Sequence, residues 1–266
     1  MVLQVSETDT ERHPPLPRPS VSWALFLDVD GTLIEIANTP GEVSVPAQVL
    51  ELLQRLRRGL RGALALVSGR SIADLDRLFD PLRLPAAGQH GLEQRSGNGS
   101  IVRVDVPIDP LLRARTVVED LAAHHPGIIV EDKGLSFAVH FRNVPGAESA
   151  VRRALHTFAD GTSGLFHIQA GKMVLEVKPA GTGKGTVVER FMAAPPFADR
   201  TPVFIGDDVT DEDGFAAAQR LGGYGIRIGP RENTAAVFTL PTVPIALDWL
   251  AFIADALDAD DPDGAA

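Results

Sequence analysis

Apolar positions along this chain follow two rhythms. Short unbroken apolar runs at 23–27, 63–67 and 202–205 have the length of strands buried on both faces, as in a parallel sheet. Between them, apolar residues recur every three to four positions. Val49, Leu52, Leu53 and Leu56 mark a helix over 45–58, and further helices are predicted from Ser71, over about 186–192, from about Thr210, and over about 243–257. Segments 85–91 and 225–228 add short strands, and 92–95 with 100–104, joined by Ser96-Gly97-Asn98-Gly99, predict a hairpin. Strand alternating with helix predicts an α/β fold with a doubly wound, mostly parallel sheet.

From about Pro107 the order becomes helix, strand, strand, repeated once. It predicts a smaller α+β unit inserted in the core, a cap, with strands near 128–131, 135–142, 165–169 and 172–178. Leu135, Phe137, Val139 and Phe141 alternate with Ser136, His140 and Arg142, and Met173, Leu175 and Val177 with Lys172, Glu176 and Lys178. One face packs on helices and the other is polar. Glu131, Lys133, Ser136, His140, Arg142, Lys172 and Glu176 on that face offer the mixed donors and acceptors a sugar requires, although a solvated sheet face carries the same pattern.

The resulting domains are a disordered leader at 1–20, a core of 21–107 and 179–258, a cap of 108–178 and an acidic tail of 259–266. The leader is polar and proline-rich with no apolar h-region, and no apolar run approaches a membrane span. With 266 residues and 44% apolar content a large core is available. The net charge of −10 argues against nucleic-acid or anionic-membrane partners, so an anionic substrate must be met by a local group of cations. Cysteine is absent, which removes disulfides and thiolate chemistry and suits the cytoplasm.

Polar groups collect at the C-terminal tips of the predicted strands, where open α/β sheets bind ligands. The first tip is Asp28-Val29-Asp30-Gly31-Thr32, with two carboxylates at i and i+2 and a glycine that permits a tight turn. An Asp-Gly turn explains this stretch alone equally well. The second is Ser68-Gly69-Arg70, where Ser68 also suits a cap, and the third is Gly88-Gln89-His90-Gly91. Lys184 stands near a helix N-terminus, where the macrodipole favours an anion over a cation. The preceding glycines do not make a P-loop, because Lys178 and Gly185 occupy positions that need Gly and Ser or Thr. The last tip is Gly206-Asp207-Asp208; the acidic residues 211–213 that follow read as an ordinary first helical turn.

Carboxylates on two strand tips, without cysteine or clustered histidine, make an oxygen site for a hard cation, Mg²⁺ first, held by Asp28, Asp30, Asp207 and Asp208. With Ser68, Lys184 and backbone amides beside them, the parts suit phosphoryl transfer. Asp28 would attack phosphorus, and Asp30 would act as general acid and then base.

In order and character, Asp28-Val29-Asp30-Gly31-Thr32, Ser68, Lys184 and Gly206-Asp207-Asp208 resemble the four motifs of the haloacid dehalogenase (HAD) superfamily of phosphohydrolases. Finer features resemble its trehalose-6-phosphate phosphatase branch: 30–36, Gly88 to Glu93, Glu131-Asp132-Lys133 with His140-Phe141-Arg142, Gly171 to Pro179, and Gly206 to Glu212. Val29 and Phe141 depart from it, standing where an aromatic residue and a tyrosine are common. The resemblance implies a HAD-like, Rossmannoid core with a mobile cap, and Mg²⁺-dependent hydrolysis of trehalose 6-phosphate as the last step of trehalose biosynthesis. Asp28 is then the nucleophile, Asp30 the acid/base, and Asp207 a metal ligand supported by Asp208. Ser68 and Lys184 bind the phosphoryl group, with Gly31, Thr32, Gly69, Arg70, Gln89 and His90 around the substrate, and Glu131, Lys133 and Glu176 hold the disaccharide. A monomer is favoured. The alternatives are a phosphatase of sucrose or glucosylglycerol phosphate, or a non-catalytic sugar-phosphate sensor.

Overall fold

The computed structural model describes residues 15–35, 44–171, 173–230 and 233–260. Strand β1 (Trp23–Leu27) is buried throughout and is the axis of an eight-stranded sheet. With β2 (Leu64–Val67), β3 (Ala86–Gly88), β4 (Glu93–Arg95), β5 (Ile101–Arg103), β10 (Thr201–Gly206), β11 (Tyr224–Ile228) and β12 (Phe238–Leu240), the order is β12-β11-β10-β1-β2-β3-β4-β5. The pairs from β12 through β3 are parallel, and β4 returns antiparallel to β3.

Helices cover both faces, as alternating side chains require. Trp23 meets Trp249 of α7 (Val243–Asp260) with ring centroids 6.2 Å apart, while Phe26, of opposite parity, meets Phe191 of α5 (Lys184–Met192) at 5.9 Å. Helix α1 (Ala47–Gly59) packs on α7 and α6 (Glu212–Arg220) on α5, with α2 (Ile72–Leu78) beside β3. Asp28 shares Phe26's parity, so it emerges on the α5 side.

Two compact units divide the chain, one drawn from Met1–Val102 and Gly183–Ala266, the other from Arg103–Thr182. The second holds α3 (Ile108–His124), α4 (Glu148–Asp160) and an antiparallel sheet in the order β6 (Ile129–Asp132), β7 (Phe137–His140), β9 (Val174–Pro179), β8 (Phe166–Gly171). Phe137, Val139, Leu175 and Val177 are buried on one face, as the alternation predicts. The division lies outside the expected cut at 108 and 178. The β8–β9 ladder runs to Phe166 opposite Pro179, and the Ala180 amide still donates to the Leu165 carbonyl.

Three other expectations change. Leu16 is partly buried against the core, so residues 15–20 of the expected leader lie on the protein; residues 1–14 fall outside the described ones. Helix α7 extends to Asp260, into the expected tail, of which 261–266 are likewise outside. Strand β12 has no counterpart among the predicted strands, because three residues followed at once by Pro241 carry no periodic signal. Among the described residues no helix is long and apolar enough to cross a membrane.

Candidate active site

The site is assembled by register. Leu27 pairs with Ile205 on one side and Leu66 on the other, and the Asp28 amide donates to the Ile205 carbonyl at 2.9 Å. The chain following β1, β2 and β10 therefore leaves the sheet at one edge, bringing Asp28, Ser68 and Asp207 to one end. Lys184, first residue of α5, completes the group. Gly183 before it has φ of 139°, which starts the helix two residues earlier than the apolar spacing indicates.

Lys184 is 3% exposed, and its Nζ donates to Asp28 Oδ1 at 2.7 Å and Asp211 Oδ1 at 2.5 Å. Burial alone would lower the lysine's pKa, but these two carboxylates outweigh it and hold the ammonium well above its ordinary range. Asp28 is pushed up by burial, with Lys184 pulling it partly back. Thr32 Oγ1 donates to Asp28 Oδ2 at 3.2 Å and limits rotation of the carboxylate.

Asp28, Asp207 and Asp211 each offer an oxygen within 4.8 Å of the others. Burial, then repulsion from Asp211 and Asp208, raises Asp207 to about 6. Burial also raises Asp211, with Lys184 opposing. Two glycines permit the crowding. A Cβ on Gly31, whose φ is +83°, would stand 2.2 Å from Asp207 Oδ2, and one on Gly206 would stand 2.2 Å from Asp211 Cγ. Three carboxylates held together form an all-oxygen donor set that fits a hard divalent cation, with the Lys184 ammonium beside them balancing part of their charge.

The sequence profile described as Trehalose-phosphatase matches residues 26–241. The chain belongs to the trehalose-phosphatase family. Trehalose phosphatases are phosphoric monoester hydrolases. The chain is 44% identical over 252 residues to an Escherichia coli trehalose-6-phosphate phosphatase, covering 93% of this chain and 92% of that one. It is 42% identical over 209 residues to a probable trehalose-phosphate phosphatase of Sinorhizobium fredii, covering 79% and 78%. An Aspergillus fumigatus trehalose-6-phosphate phosphatase structure shares the fold, with a TM-score of 0.72 at 22% identity over 88% of this chain and 93% of that one.

Within this candidate site, Asp30 and Asp208 do not join the carboxylate cluster. Beyond Leu27 the chain curls, and the Val29 carbonyl accepts from the Leu33 amide at 2.9 Å and the Ile34 amide at 3.1 Å, so the two-residue period of an extended strand ends there. Asp30 instead forms a bidentate pair with Arg70, Nε to Oδ2 at 2.7 Å and Nη2 to Oδ1 at 2.6 Å. Gly31 and Thr32 donate their amides to the Ile34 and Val29 carbonyls, so these N–H groups serve the turn. Asp208 is exposed, and its Oδ1 accepts from the Thr210 amide and hydroxyl, both at 2.6 Å.

Asp211 is the residue the sequence reading missed. It is 0% exposed, and its Oδ2 accepts from the Asp207 and Asp208 amides, both at 3.0 Å. The signal was the Asp208-x-x-Asp211 spacing, a capping box whose third residue reaches back to the strand tip.

The third tip is stitched to its neighbours. The His90 amide donates to the Ser68 carbonyl, the Gln89 amide to that of Arg70, and the Gly183 amide to that of His90, at 2.8–3.0 Å. Gln89 and His90 have φ of 49° and 55°, unusual for non-glycine residues and frequent at functional sites. Gly69 permits the approach of His90, whose Nε2 would stand 2.8 Å from a Cβ there. Ser68 is buried and its Oγ accepts from the Arg70 amide at 3.2 Å.

In the other unit, the expected polar face carries Glu131, His140, Lys133, Ser136 and Glu176. His140 Nε2 lies 2.9 Å from Glu131 Oε2, and Glu176 Oε1 is 3.5 Å from Lys133 Nζ and accepts from Ser136 Oγ at 3.4 Å. Arg142 is exposed beyond the end of β7, and Lys172 lies outside the described residues.

The raised carboxylates give the metal-free protein an unusual pH dependence. For Asp207, the folded value of about 6 exceeds the ordinary 3.8, so its stabilising contribution is full below about 3.8 and is lost as pH rises through about 6. Asp28 and Asp211 act in the same direction. Asp74, Asp132 and Asp208, whose pKa values are lowered, have finished titrating by pH 5 in both states. In chelator, the urea midpoint should therefore fall from pH 5 to pH 7. An equal or higher midpoint at pH 7 contradicts the cluster's electrostatics.

Proposed function

We propose that this protein hydrolyses trehalose 6-phosphate to trehalose and inorganic phosphate, the last step of trehalose biosynthesis, through an aspartyl phosphate on Asp28. The observation that carries this reading is the buried Asp28 carboxylate, held by Lys184 beside Asp207 and Asp211 at the strand tips. The substrate rests on family membership and on the named E. coli relative.

An Asp28 oxygen attacks phosphorus and the bond from phosphorus to the sugar oxygen breaks, with Asp30 giving its proton to that leaving oxygen. Asp30 then takes a proton from water, and the water oxygen attacks phosphorus and releases Asp28 and phosphate. Lys184 and Ser68 bind the phosphoryl oxygens. Asp30 must leave its pairing with Arg70 to carry a proton, so Arg70 parks the acid/base between turnovers. Asp28, Asp207 and Asp211 would hold Mg²⁺. When bound, the cation neutralises charge developing on the phosphoryl oxygens. In the second unit, Glu131, Lys133, Ser136, His140 and Glu176 meet sugar hydroxyls. A cytoplasmic monomer completes the reading.

The test is phosphate release by the purified full chain from a panel of trehalose 6-phosphate, sucrose 6-phosphate and glucosylglycerol phosphate. Trehalose 6-phosphate should be preferred with Mg²⁺ and turnover should vanish in EDTA. Preference for another member replaces the substrate, and activity that persists in EDTA removes the metal from the reading.

A further inference from the structure

One buried cation takes no part in the chemistry above. Lys178 lies on the polar face of the β6–β9 sheet with its side chain 4% exposed. Register puts it opposite His167, and puts Glu176 opposite Gln169. Lys178 Nζ donates to Gln169 Oε1 at 2.8 Å and lies 3.2 Å from Glu176 Oε2.

The Glu176 side chain is 13% exposed, and its two oxygens are held unequally. Oε2 faces the buried ammonium. Oε1 faces Lys133 and Ser136 at the longer distances of 3.5 and 3.4 Å. Burying an ammonium is costly unless it is paired, and a lysine serving only solubility would extend into water. A glutamate has three side-chain torsions, so without a second anchor its carboxylate can swing fully onto Lys133. That closes both oxygens in an internal ion pair.

We propose that Lys178, clamped by Gln169, is a positioning residue that holds Glu176 by Oε2 and so presents Oε1 as an acceptor for a sugar hydroxyl. Lys178 thereby sets discrimination for the sugar half of the substrate without touching it. This rests on the reading of the protein as a sugar-phosphate phosphatase. An acceptor built to meet one hydroxyl discriminates strongly against substrates that lack it, because the mismatched site is left unpaired.

The test compares wild type with Lys178→Met, Lys178→Arg and Gln169→Leu as full chains in Mg²⁺. Each is assayed on trehalose 6-phosphate and on p-nitrophenyl phosphate, which has no sugar. Lys178→Met should raise KM for trehalose 6-phosphate by about 10- to 100-fold with kcat within about threefold, while kcat/KM for p-nitrophenyl phosphate stays at the wild-type value. Gln169→Leu should shift KM in the same direction by a smaller factor, and Lys178→Arg should recover part of the loss. If Lys178→Met does not fold, Gln169→Leu carries the test by the same split. An unchanged KM, or equal losses on both substrates, overturns the proposal. Wild-type inactivity on trehalose 6-phosphate instead removes the substrate reading, and the split is then measured on whichever panel sugar phosphate is hydrolysed.

Discussion

Replacing Asp28 by Asn should abolish turnover, lowering kcat on the order of 10⁵- to 10⁶-fold, the scale of losing a nucleophile from an enzyme that forms a covalent intermediate. The amide keeps the shape of the carboxylate: its carbonyl oxygen can still accept from Lys184, while its NH2 donates to the Thr32 hydroxyl and reverses that bond. It cannot form an acyl phosphate. The fold should survive. Asp28 is buried and its ionised form is already disfavoured, so a neutral group there removes an electrostatic cost as well as an ion pair, while Lys184 keeps Asp211. Thermal unfolding of the variant should remain cooperative and close to wild type. In wild type quenched in acid during turnover, mass spectrometry should find phosphate on the peptide containing Asp28, and none in Asp28→Asn. Activity within tenfold of wild type, or phosphate trapped on another residue, would reject Asp28 as the nucleophile.

Lys184→Met should cost both activity and stability. The ammonium is the organic cation among three crowded carboxylates, and removing it deprives the phosphoryl group of a positive partner. A loss of about 10³-fold or more in kcat follows, by analogy with other cations that balance a phosphoryl transition state. Breaking a buried ion pair from one side typically costs about 3–5 kcal/mol. Here the cost should depend on pH. At pH 7 the carboxylates left behind must stay charged beside one another or bind protons against the solvent, whereas at pH 5 protonation is easy and relieves the repulsion. Urea unfolding in chelator should therefore show a larger loss at pH 7 than at pH 5. Lys184→Arg should not restore activity, because the planar guanidinium cannot reproduce two short contacts from one nitrogen in a site 3% exposed. Equal destabilisation at both pH values would show that Lys184 contributes packing more than charge balance.

The element order apart from the short β12, the doubly wound sheet and the strand tips that carry chemistry are legible in the sequence alone. Both periodicities are local properties; Asp28, Ser68 and Asp207 follow directly where the predicted strands end, and Lys184 stands near the start of a predicted helix. The alternation in the second unit likewise placed Glu131, His140 and Glu176 on one face, because side-chain direction along a strand has a fixed period of two.

Which carboxylates come together depends on how the chain folds beyond each strand end. Asp28 and Asp30 are two residues apart in a stretch read as extended, but the curl over the Val29 carbonyl separates them, and Arg70, far along the chain, takes Asp30. Asp208 and Asp211 exchange their expected parts for a similar reason. A carboxylate in a first helical turn is ordinary in sequence, and only the close approach allowed by Gly206 buries Asp211 against Lys184 while Asp208 caps the turn. Lys178 was visible in the sequence as one more polar residue of an alternating strand. Its burial against Gln169 and Glu176 depends on the register of the antiparallel β8–β9 pair, which alternation along one strand does not fix.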